Sequence, residues 1–210
     1  GATVTLNNTS DTEFNGVISG SGALSKAGAG NLILSGASTY TGTTSVTAGL
    51  LKLTHEEGTG ASSVSVSSSA VGTGLELAFN NASYDNVITG TGRVLVSGTG
   101  ITLAGTNTFS GTWQITGEAT ATTASNLGTG TVNLDGTGRM LNLRPSLAAD
   151  RIFNNVLTGT GTMKADLGSG GKTLSLGLGV GTSFAGILEM PRGKLILDGH
   201  AASALTNGTL

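Results

Sequence analysis

The chain has 210 residues, of which 36 are glycine; 10% are charged, 4% are aromatic, 37% are hydrophobic, and the net charge is −2. An ordinary globular domain carries about 25% charged residues, and a disordered chain shows lower hydrophobicity, higher net charge and more proline. The composition therefore describes a folded chain with many tight turns. Scattered lysines and arginines with sparse aromatics argue against nucleic acid as a partner. The same scatter argues against anionic membrane surfaces. The absence of cysteine excludes a disulfide-stapled scaffold, and no apolar run approaches the length of a membrane-spanning helix.

Gly1-Ala2-Thr3 lacks the basic region and apolar core of a signal peptide, so the expectation is a piece of a longer protein. The opening Thr3-Val4-Thr5-Leu6-Asn7-Asn8 resembles Leu75-Glu76-Leu77-Ala78-Phe79-Asn80, which lies late in a long repeat unit. The repeat itself begins at Phe14-Asn15-Gly16-Val17-Ile18-Ser19-Gly20-Ser21-Gly22. It returns as Tyr84-Asp85-Asn86-Val87-Ile88-Thr89-Gly90-Thr91-Gly92 and as Phe153-Asn154-Asn155-Val156-Leu157-Thr158-Gly159-Thr160-Gly161. A second landmark follows each: Tyr40-Thr41-Gly42, Phe109-Ser110-Gly111 and Phe184-Ala185-Gly186. The units run approximately over 14–83, 84–152 and 153–210. Ala202-Ser203-Ala204-Leu205 near the end resembles Ala124-Ser125-Asn126-Leu127.

Within each unit the local signal is strand. Leu32-Ile33-Leu34, Leu50-Leu51-Lys52-Leu53, Val64-Ser65-Val66, Leu75-Glu76-Leu77, Thr131-Val132-Asn133-Leu134, Leu141-Asn142-Leu143 and Lys194-Leu195-Ile196-Leu197 are short runs. Several alternate apolar and polar residues with period two, and Gly-x-Gly and Asn-Asn pairs separate them. Leu147 to Ile152 makes one helical turn at most.

Short strands between glycine turns suit either a sandwich or a solenoid. Three features favour the solenoid. The long repeat covers the chain without linkers. The large aromatics on which sandwich cores depend are few. Small polar residues crowd the turns, where successive rungs must approach closely. The expected architecture is all-β, a right-handed parallel β-helix. With strands spaced about 4.8 Å apart, about nine rungs would extend roughly 45 Å.

The stretch Ile18-Ser19-Gly20-Ser21-Gly22-Ala23-Leu24-Ser25-Lys26-Ala27-Gly28-Ala29-Gly30-Asn31-Leu32-Ile33-Leu34-Ser35-Gly36, continuing through Tyr40, Gly42, Val46, Ala48, Gly49, Leu51 and Leu53, resembles the passenger-associated transport repeat of autotransporters. The second copy keeps Gly90, Gly92, Leu103, Gly105, Asn107 and Gly111 but lacks the lysine. The third keeps Gly159, Gly161, Lys164 and Phe184 and carries an insertion. The resemblance implies type V secretion and display at a Gram-negative cell surface, anchored through a separate outer-membrane β-barrel. It also implies a passenger that attaches to host matrix protein or glycan, or to another copy of itself. The alternatives are a non-binding stalk that drives folding and export, and, more distantly, a carbohydrate-active β-helix enzyme.

The chemistry-bearing residues point to no enzyme. The only histidines are His55 and His200, and no Gly-x-Ser-x-Gly elbow accompanies the many serines. His55-Glu56-Glu57 reads as a solvated loop, with nothing nearby to complete a metal site. Paired carboxylates of a glycosidase would be drawn from Asp11, Glu13, Asp85, Asp150 and Asp166. Asp85 shares its repeat position with Asn15 and Asn154, which marks a turn former. Gly170-Gly171 lacks the continuation of a calcium-binding nonapeptide. Catalytic, cofactor and metal residues are accordingly expected to be none. Trp113, the single tryptophan, is the one candidate ligand anchor.

Overall fold

The computed structural model describes residues 1–144, 151–168, 171–177 and 183–197. Four parallel sheets stack as a β-solenoid of about nine turns. The first sheet holds Thr3–Leu6, Ala23–Lys26, Thr44–Val46, Val64–Val66 and Ile88–Gly90. The second has eight strands, from Thr12–Phe14 through Leu32–Leu34, Leu50–Leu53, Gly74–Leu77, Arg93–Val96, Thr112–Ile115 and Thr131–Leu134 to Leu157–Gly159. The third begins only at Ser83–Tyr84 and continues through Ile101–Leu103, Glu118–Ala121, Met140–Leu143, Thr162–Asp166 and Ile187–Arg192. Arg151–Phe153, Thr173–Leu176 and Lys194–Leu197 form the fourth. The 3-10 turn Ala124–Asn126 touches its first strand. The possible helical turn at 147–150, together with Asp150, His200 and 202–205, lies outside the described residues.

Period-two alternation sends one set of side chains inward and the other to solvent. In the second sheet the inward set is a continuous ladder. Leu51 and Leu53 stand on Leu32 and Leu34, Leu75 and Leu77 follow, then Val94 and Val96, then Trp113 and Ile115. All ten of these side chains are buried. Burying one such side chain stabilises the fold by about 1.5–3 kcal/mol, and each depends on the turn above and below to exclude water. The outward set of the same sheet is mixed. Lys52 Nζ lies 3.1 Å from Glu76 Oε1, Ser97 Oγ donates to that carboxylate at 2.6 Å, and Gln114 donates to Asn133 at 3.1 Å.

The long repeat does not correspond to a whole number of turns. Leu24 lies under Thr44, Val64 and Ile88, three turns up the first sheet. Its repeat counterpart, Val94, lies one strand further on, in the second sheet. Val94 lies under Trp113, Val132 and Leu157, and the next counterpart, Met163, is again one strand on, in the third sheet. The motif thus steps from sheet to sheet with each copy. No break separates the units, because Val64–Val66 pairs with Ile88–Gly90 and Thr131–Leu134 with Leu157–Gly159.

This register corrects one reading of the third copy. Counting from the Gly-x-Gly pairs, the counterparts of Lys26 are Val96 and Ala165. Ala165 is buried, whereas Lys164 faces outward and pairs with Glu189 at 3.7 Å. A one-residue offset along a strand reverses the face a side chain occupies, so Lys164 does not reproduce Lys26.

Candidate functional site

Trp113, the expected ligand anchor, is fully buried. Its Nε1 donates to the Leu127 carbonyl at 3.0 Å, and its ring meets Phe109 edge-on, with centroids 5.2 Å apart at 73°. The inward parity of Thr112–Ile115 places it in the apolar ladder, so it is a core residue and offers nothing to a ligand.

Among the described residues Asp11 and Glu13 share the first turn, while Asp85 and Asp166 lie on turns far from it. Asp11 accepts from the backbone N–H and side-chain amide of Asn31 at 2.9 and 3.2 Å, tying the first turn to the second. Glu13 accepts from Ser35 Oγ at 2.9 Å. Asp166 is gripped by Arg192 through Nε at 2.8 Å and Nη2 at 2.6 Å. The hydrogen bond from Arg192 is the largest cause that lowers its pKa to about 2, with the Gly168 N–H adding to it. Glu13 also borders an apolar cavity at the first turn, and Asp85 lies in a polar groove.

That groove forms where the third sheet begins. After Leu50–Leu53 the chain turns tightly instead of extending. Gly58 N–H donates to the His55 carbonyl at 3.0 Å, Gly60 N–H to the Glu57 carbonyl at 2.9 Å, and Glu57 N–H to His55 Nδ1 at 3.1 Å. Below this turn the Ser38 N–H donates to the Glu57 carbonyl at 2.9 Å. Above it Asn86 Nδ2 reaches down to Thr59 Oγ1 at 2.9 Å and the Gly60 carbonyl at 2.7 Å. A cleft of about 420 Å³ opens between these layers, lined by residues that include Ser38, Glu56, Glu57, Ser83, Asp85 and Asn86. This volume falls within the usual range for ligand pockets, about 300–1,000 Å³.

Buried hydroxyls brace the wall behind the cleft. Tyr84 Oη and Thr59 Oγ1 are 2.9 Å apart, Tyr40 Oη and Thr44 Oγ1 2.6 Å, and Thr44 Oγ1 and Ser62 Oγ 3.0 Å. Burial raises the pKa of both tyrosines, which keeps this network neutral. The cleft itself is acidic, with three carboxylates and no lysine or arginine among its lining residues. The imidazole of His55 lies 3.6 Å from Glu56 Oε2. Among the described residues no three His, Cys, Asp or Glu side chains converge as a metal site. The sequence marked Glu56, Glu57 and Asp85 separately. Their convergence depends on a register between turns that a single strand of sequence does not display.

Two other surfaces differ in kind. A cavity of about 290 Å³ at the first turn is walled by Val4, Leu6, Phe14, Leu32 and Leu34, and continues the apolar core. The outer face of the first sheet carries one hydroxyl per turn, Thr5, Ser25, Ser45, Ser65 and Thr89, in register.

Stacked parallel strands around an inward apolar ladder, opened on one side by the acidic cleft, define the molecule as a parallel β-solenoid. Residues 24–53 and 89–117 match the passenger-associated-transport-repeat family, which marks an autotransporter passenger segment, secreted or surface-exposed. Both matched stretches fall in the first two copies of the long repeat. Comparison with curated proteins and with solved structures finds no match.

Proposed function

We propose that this segment is an adhesive, non-enzymatic part of a passenger held at the cell surface by an outer-membrane barrel, and that the acidic cleft is its contact site. One observation supports the reading above others. The solenoid is interrupted laterally at a place where Glu56, Glu57 and Asp85 present unneutralised charge around a volume large enough for part of a macromolecule. A repulsive array of this kind is tolerated on a stable scaffold and becomes favourable when a complementary surface docks. The acidic rim favours a protein or a neutral glycan of the host matrix over an anionic polysaccharide, or a basic patch on another copy of the chain.

The test is biosensor binding of the purified chain to immobilised matrix proteins, neutral glycans and glycosaminoglycans, and to itself, alongside the Glu56→Gln/Glu57→Gln/Asp85→Asn variant. Saturable binding that the variant loses is the expected result. Binding that the variant retains would move the contact to another face, such as the hydroxyl rank of the first sheet. Absence of all binding would favour the alternative role as a stalk for folding and export, which the neighbour-dependent core of the solenoid suits.

A further inference from the structure

We infer that the cleft receives an extended, lysine- or arginine-bearing polypeptide, which adds as a strand to the edge Ser83–Tyr84; this rests on the adhesive reading above. Ser83–Tyr84 is the first strand of the third sheet and pairs only upward, with Ile101–Leu103. That pairing uses the Ala82 and Tyr84 carbonyls, which accept from Thr102 and Ala104 at 2.9 and 3.0 Å. In a parallel ladder the groups of alternate residues point to opposite sides, so the N–H and C=O of Ser83 point down into the cleft. The segment beneath, from Thr54 to Gly60, is bent and turned, and among the described residues no backbone hydrogen bond joins it to Ser83.

The upper edge of the first sheet shows what a closed edge looks like. There the Asn107 side chain accepts the Ile88 N–H at 2.7 Å, and the Ser110 N–H donates to the Gly90 carbonyl at 2.9 Å. The first strand of the fourth sheet likewise rests against the Ala124–Asn126 turn. The Ser83 edge has a cleft in that place. An exposed strand edge is a template for another chain, and strand addition to such an edge is a recurrent mode of peptide recognition. The carboxylates choose the partner. Glu56 and Glu57 lie on the lower wall and Asp85 follows the edge strand, so an incoming strand is flanked by negative charge. A polypeptide with cationic side chains neutralises that charge while its backbone satisfies the edge.

The probe is a short fluorescein-labelled peptide of alternating lysine and threonine, titrated against the whole chain by fluorescence anisotropy. Comparison peptides carry glutamate in place of lysine, or methyl groups on alternate backbone nitrogens. The expected results are saturable binding of the lysine peptide and none of the glutamate peptide. Loss of at least about tenfold is expected in the Glu56→Gln/Glu57→Gln/Asp85→Asn variant, with its fold verified by circular dichroism. Backbone methylation should weaken binding by about fivefold or more for each hydrogen bond removed. Equal affinity for the methylated peptide would overturn strand addition, and equal affinity in the triple variant would overturn the location. If the peptide fails to bind while a matrix ligand binds in a cleft-dependent way, the strand inference falls and the adhesive reading stands. If neither binds, both fall.

Discussion

Gly42 packs so closely on Gly22 that a Cβ at position 42 would lie 2.2 Å from the Gly22 carbonyl oxygen. Gly111 stands on Gly92, and Gly186 on Gly161, with the same contact at 2.0 Å in each case. The two landmarks of each long repeat are therefore one contact seen twice. The second glycine of Gly-x-Gly and the glycine after the aromatic meet across adjacent turns, and backbone fills the space a side chain would need. Gly42→Ala should destabilise the chain by about 1–3 kcal/mol, the usual cost of overpacking a close contact, or more where backbone has to move. Urea unfolding followed by circular dichroism measures this directly. Substituting alanine at the open Gly72, whose added Cβ would meet nothing within 4 Å but whose φ is +80°, separates crowding from backbone strain.

Much of the fold was legible because the signals are local. The alternation in Leu32-Ile33-Leu34 and Thr131-Val132-Asn133-Leu134, and the glycines between runs, specify strand and turn without knowledge of neighbours. What sequence did not show depends on the phase between turns. The strand-by-strand migration of the motif follows from turn lengths; Leu32 to Leu51 is one turn, and Leu51 to Leu75 is a longer one. Trp113 stood out as the single tryptophan, and its repeat counterpart is Thr44. Thr44 is itself buried, so both positions face inward and the tryptophan fills core. The cleft was illegible for the same reason, since Ser38, Glu57 and Asp85 belong to three successive turns.

Asn107 does for the second copy what Ser38 does for the first. Each accepts the N–H of the isoleucine at the start of its own repeat, Ile88 at 2.7 Å and Ile18 at 3.3 Å. Asn107 also donates to the Asn126 carbonyl at 2.6 Å, so it links three turns. Asn107→Ala leaves a buried N–H unpaired and should cost about 1–3 kcal/mol. Asn107→Ser retains an acceptor and should cost less. Equal losses in the two variants, read from urea midpoints, would show that volume rather than the hydrogen bond sets the effect.

Asp166 and Arg192 join the third sheet's Thr162–Asp166 and Ile187–Arg192 strands at their exposed ends. The carboxyl pKa, lowered to about 2 from 3.8, means that the pair contributes above the ordinary value and is lost as pH falls through the lowered one. Arg192→Gln removes the principal hydrogen-bond partner, and the carboxyl should then titrate closer to 3.8. An NMR titration of the Asp166 side-chain carbon reads this shift. An unchanged titration would assign the effect to the Gly168 N–H instead.

Lys26 is buried, and its Nζ donates to the carbonyl oxygens of Gly28 and Ala48, the latter at 3.1 Å, with no carboxylate partner in the described residues. Burial lowers its pKa from 10.5. Between the lowered folded value and 10.5 the unfolded chain binds more protons, so stability rises with pH through that window and is level below it. The buried tyrosines act in the opposite sense. Their folded pKa values lie above the ordinary 10.0, so their contribution is lost as rising pH ionises the unfolded chain. Together they predict a stability profile that climbs as pH approaches 10.5 from below and is opposed once pH passes the ordinary tyrosine value of 10.0. Lys26→Met fills the same space without the charge, as Val96 does in the second copy, and should abolish the climb while leaving the fall. The measurement is the urea midpoint of both proteins across that range. A climb that persists in Lys26→Met would transfer the effect to another group and leave Lys26 as a charged tie between turns that titrates alike in the folded and unfolded chain.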